Sequence, residues 1–81
     1  MRQIRNVEEL REALKRGEHE FRLCLNGGVF SRKTIYPTCD GCFKVLNGID
    51  GSTQMLTDNQ LYTESNIGEA MRYGSFLVED Q

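Results

Sequence analysis

The sequence predicts a small α+β domain, with a three- to four-stranded antiparallel sheet packed by an N-terminal helix and short C-terminal helices. Three observations lead there. A capped amphipathic stretch opens the chain, apolar residues then alternate with period two between glycine-containing turns, and two helix-capping patterns return near the end. Residues 1–81 read as one domain, long enough for a single modest core and too short for a second lobe.

The opening helix spans residues 6–17. Asn6 is a suitable N-cap with Glu9 three residues on, which predicts a capping box. Glu8 and Glu9 stand at the positive end of the helix dipole, Lys15 and Arg16 at the negative end, and Gly17 can take the left-handed terminal position. Val7, Leu10 and Leu14, flanked by Ala13, form a stripe that must dock on another element, because an isolated helix of this length is marginal.

The docking surface is expected to be a sheet. In EFRLCLN, Phe21, Leu23 and Leu25 alternate with Glu20, Arg22 and Cys24, and Asn26-Gly27-Gly28 supplies a tight turn. VFSRKTIY is the second strand. Its faces, Val29-Ser31-Lys33-Ile35 and Phe30-Arg32-Thr34-Tyr36, are both mixed, so alternation does not choose the buried one. CFKVLNGI is the third, with Phe43, Val45 and Ile49 inward, Asn47 the odd member, and Lys44 and Leu46 on the other side. Asp50-Gly51-Ser52 closes it. Thr57 with Gln60, and Asn66 with Glu69, then mark two short helices, the second ending at Gly74, with Ile67, Ala70 and Met71 inward and Gly68 permitting a close approach. SFLVED supplies a last short strand.

Composition narrows the function. Ten basic and twelve acidic residues give a net charge of −2, so no global field draws the chain to nucleic acid or anionic lipid. The first seventeen residues carry charges throughout and no apolar signal-peptide core, and no later stretch approaches a membrane span. Three cysteines, an odd number, suit a reducing compartment, and the expected location is cytoplasmic.

Cys39-Asp40-Gly41-Cys42 has the spacing of half a zinc knuckle. A complete site needs two more ligands, and the nearest candidates are Cys24 and His19. A tight turn at residues 26–28 would join the first two strands at the end away from Cys39 and keep Cys24 distant. The competing reading, which the residues favour, is a hairpin with Asp40-Gly41 as a type I′ turn. A redox pair would sit at a helix N-terminus, and no helix pattern follows Cys42.

Arg22, Arg32, Lys33 and Lys44 are the candidate nucleic-acid contacts, with Tyr36 and Phe30 as stacking residues. Adjacent strand residues face opposite sides, so Arg32 and Lys33 cannot both line one surface. Residues 47–52 match neither a phosphate loop nor a calcium loop. His19 lies between Glu18 and Glu20 without a catalytic partner fixed by adjacency, and no serine sits in a nucleophile frame. The expected function is therefore a non-enzymatic binding or regulatory protein without a cofactor, acting through protein–protein contact, with a partner or a second copy engaging a sheet edge. Tyr36, Tyr62, Tyr73, Met55 and Met71 are its candidate contact residues, each also suited to a core. A nucleic-acid module using a basic sheet face and a small structural zinc domain are the alternatives, and a membrane is not expected.

Overall fold

The computed structural model describes residues 2–24 and 30–79, so the expected Asn26-Gly27-Gly28 turn lies outside the described residues. The elements run β1 (Arg2–Gln3), α1 (Val7–Lys15), β2 (Glu20–Cys24), β3 (Phe30–Pro37), β4 (Phe43–Asn47), β5 (Thr53–Leu56), α2 (Asp58–Glu64), α3 (Asn66–Tyr73) and β6 (Phe76–Val78). Among the described residues the sheet has six strands in the order β1-β6-β2-β3-β4-β5, and every neighbouring pair is antiparallel. Six strands and three helices correct the expected three- to four-stranded sheet. The two additional strands are the edges, β1 with two residues and β5 with four, each too short to show a full alternating pattern.

Register assigns the faces that alternation left open. Phe21 pairs with Lys33 and Leu23 with Ser31, so Ser31, Lys33 and Ile35 share the buried side of β2, and Arg32, Thr34 and Tyr36 point the other way. Ile35 pairs with Val45 and Pro37 with Phe43, which extends the same face into β4, while β6 adds Phe76 and Val78. Leu10, Ala13 and Leu14 of α1, Leu61 of α2, and Ile67, Ala70 and Met71 of α3 join these residues in one core. All three helices thus cover one face of the sheet. Phe21 and Phe76 stack at its centre with ring centroids 5.1 Å apart, and each buried phenylalanine contributes about 1.5–3 kcal/mol by removing apolar area from water.

Helix ends follow the capping residues with two adjustments. The Asn6 side chain accepts from the Glu9 N–H, but Glu9 Oε1 accepts from the Arg5 N–H at 2.6 Å rather than from Asn6, so the box closes one residue earlier. Ser65, not Asn66, caps α3 by accepting from the Gly68 N–H, and Asn66 is its first helical residue. The Thr57–Gln60 capping box on α2 has both arms. Gly17 and Gly74 adopt left-handed conformations at the ends of α1 and α3.

Candidate binding surface on the open sheet face

With the helices on one side, the outward residues of the central strands form a helix-free face. Three rows cross it. Tyr36, Lys44 and Met55 lie opposite one another on β3, β4 and β5; Thr34, Leu46 and Thr53 make the next row; Arg32, Arg22 and Leu77 make the third, on β3, β2 and β6. Tyr36 is 46% exposed, Leu46 39% and Met55 56%, so three apolar side chains meet solvent within two adjacent rows. Their clustering distinguishes them from scattered surface apolars. The His19 ring packs against Tyr36 at 4.6 Å between centroids, and its Nδ1 lies 2.9 Å from the Ile35 carbonyl oxygen, which fixes the tyrosine's inner side.

The candidate cations divide between the faces. Arg22, Arg32 and Lys44 converge on the open face with Tyr36, and Lys33 points to the helix side. Glu79 pairs with Arg22 at 3.0 Å and with Arg32 at 3.3 Å, so one carboxylate offsets part of that charge.

The open face ends at β5, whose outer edge no strand covers among the described residues. The Asn47 N–H donates to the Ser52 carbonyl at 2.8 Å, and antiparallel alternation from that bond directs Gln54 and Leu56 toward β4. The backbone donors and acceptors of Thr53 and Met55 consequently face outward. Thr-Gln-Met-Leu contains no charge and no proline, the two devices that usually discourage strand addition. At the opposite edge, β1 is two residues long, Arg2 pairs with Glu18, and the Gln3 side chain is held by the Gly74 carbonyl.

The cysteines do not assemble. Cys24 ends β2 opposite Phe30, whereas Cys39 and Cys42 lie in the turn beyond Pro37 at the other end of β3. His19 lies beside Ile35, two residues short of that end. Among the described residues, no group of three or more histidine, cysteine, aspartate or glutamate side chains could hold a metal ion. The turn also differs from the expected type I′ form. The Gly41 N–H donates to the Thr38 carbonyl and the Thr38 N–H to the Cys42 carbonyl, and only Gly41 has positive φ, at 85°, so Cys39-Asp40 are the central residues and Gly41 forms the bulge. Burial raises the Cys42 thiol pKa, Asp40 and Asp58 raise it further, and Arg11 opposes them.

Alternation places Leu46 outward and residue type makes Met55 a candidate contact, but neither marks 53–56 as a strand, because four residues are too few for a full alternating pattern and the pairing with β4 supplies the rest. Ile49 is another correction, lying 77% exposed in the β4–β5 connection rather than inward. No family model matches this chain, nor does any curated protein or solved structure. Fold and surface together define a small two-layer α+β domain with an open sheet face and one unguarded edge. No helix among the described residues is long and apolar enough to cross a membrane.

Proposed function

We propose that this domain is a protein-binding module that takes an extended segment of a partner protein onto the free edge of β5, giving the sheet a seventh strand. The contrast between the edges carries the reading: β1 is short and tied down by side chains, whereas β5 directs the Thr53 and Met55 backbone groups outward from an uncharged strand. The partner strand would satisfy those groups, and Met55, with Leu46 and Tyr36 behind it, would cover its side chains on the open face. Lys44 lies between Tyr36 and Met55 and favours a segment carrying an acidic residue beside apolar ones. The role is binding rather than catalysis, and the free cysteines support a cytoplasmic placement.

Selection of short peptides from a random displayed library, followed by amide shift mapping of the strongest binder, tests this. Thr53 and Met55 should shift most and exchange most slowly in the complex. Thr53→Pro, which removes an outward donor without breaking the β4 ladder, should weaken binding about tenfold. Self-pairing through the same amides would equally support strand addition. Binders that leave Thr53 and Met55 unperturbed would overturn it, as would a single-stranded oligonucleotide that instead shifts Arg32, Tyr36 and Lys44 with steeply salt-dependent affinity.

A further inference from the structure

Among the described residues of the central strands β2 to β5, Lys33 is the one cation on the helix-covered side. The other cation on that side is Arg2 on the edge strand β1, opposite Val78. Lys33 stands in the row Phe21–Lys33–Asn47, on the same face as Ile35, where its neighbours along β2 are core residues. A lysine with a purely structural role lays its stem on apolar surface and sends its ammonium to bulk water. Lys33 is instead anchored at its head: the ammonium donates to Asn47 Oδ1, Asn47 Nδ2 donates to Ser52 Oγ at 2.9 Å, and Ser52 Oγ donates to Asp50 Oδ1 at 2.8 Å. This chain fixes the ammonium while using one of its three donors. Among the described residues no carboxylate lies within ion-pair distance of it.

Lys33 lines a cleft of about 480 Å³ between the β4–β5 end of the sheet and the α2–α3 junction, together with the amide residues Gln54 and Asn66 and the apolar Leu56 and Ile67. Burial lowers the Lys33 pKa, and the Asp50 charge opposes that shift. Asp50 is engaged with the Ser52 N–H and hydroxyl, and Glu64 lines the exposed side of the cleft.

We propose that this cleft binds a small ligand through an oxyanion head, carboxylate or phosphate, which accepts from the Lys33 ammonium and from the side-chain amides of Gln54 and Asn66. Hydroxyl or ammonium groups on the remainder of the ligand suit the side occupied by Glu64. The site lies on the opposite face from the strand-addition surface and does not depend on it.

Amide shift titrations of the full chain with inorganic phosphate and, separately, with succinate test the assignment, against sodium chloride at matched ionic strength. Saturable shifts confined to residues around Lys33, Asn47, Gln54 and Asn66 are expected with at least one anion. A response to phosphate alone identifies a phosphoryl ligand, and one to succinate alone a carboxylate. Lys33→Met, which keeps the stem, should weaken the response at least about tenfold while the thermal midpoint is retained. Shifts equal to those in chloride, or an unchanged titration in Lys33→Met, would overturn the proposal.

Discussion

Gly68 shows how one residue fixes the approach of two helices. A Cβ there would overlap the Tyr62 carbonyl and lie 2.6 Å from the Leu61 carbonyl oxygen, both backbone groups of the last turn of α2. Backbone cannot move aside as a flexible side chain would. Gly68→Ala is expected to destabilise the fold by about 3 kcal/mol in urea denaturation. Gly41 makes the contrasting case, since a Cβ would meet nothing within 4 Å but φ is +85°. Gly41→Ala should cost about 1 kcal/mol through backbone strain alone. If the two substitutions cost the same, the close packing of α2 on α3 is not present in solution. The close approach at Gly68 was readable from its place among Ile67, Ala70 and Met71, whereas the turn context of Gly41 pointed to a central type I′ position and the structure makes it the bulge residue. The Lys33 environment was not readable, because both faces of its strand mix polar and apolar residues and only register with β2 separates them.

Arg11 joins three elements from its place on α1. Its guanidinium donates to the Gly41 carbonyl at 2.8 Å, pairs with Asp58 at the start of α2, and lies 4.5 Å over the Phe43 ring. Partial exposure limits the ion pair, so Arg11→Met is expected to cost only about 1 kcal/mol overall. The effect should concentrate in the β3–β4 turn, with faster amide exchange at Gly41 and Cys42. Exchange rates identical to those of the original chain would show that Arg11 does not restrain the turn. Such a link is invisible to pattern reading, since Arg11 and Asp58 lie far apart in the chain and nothing local pairs them. The elements with full periods or caps, α1, β2, β4 and both C-terminal helices, were legible for the opposite reason. Their signals are contained within single turns or alternating runs, whereas β1 and β5 become strands only through their neighbours.

At the level of the whole molecule, β6 lies between β1 and β2, a strand order that no local pattern encodes. Its consequence is that the sheet closes around contacts distant in sequence, and carboxylates fasten one such contact and two of the turns between strands. Hydrogen bonding from Arg2 leads in lowering the Glu18 pKa, tying β1 to the end of α1. The Thr38 hydroxyl lowers that of Asp40 in the β3–β4 turn, and the Ser52 N–H and hydroxyl lower that of Asp50 in the β4–β5 turn. A folded-state pKa below the unfolded value means that the unfolded chain binds more protons as acid is added. The stabilisation from these groups is therefore present above the ordinary carboxylate range, near about pH 4, and is lost as pH falls through the lower folded values. The thermal midpoint should stay nearly level from about pH 7 to 5 and fall below about pH 4, with Glu18→Gln reducing the slope of the fall. A midpoint unchanged down to about pH 2 would mean that these bonds do not distinguish the folded from the unfolded chain. A fall equally steep in Glu18→Gln would instead assign the acid sensitivity to the two turns, where Asp40 and Asp50 hold the backbone through their own local partners.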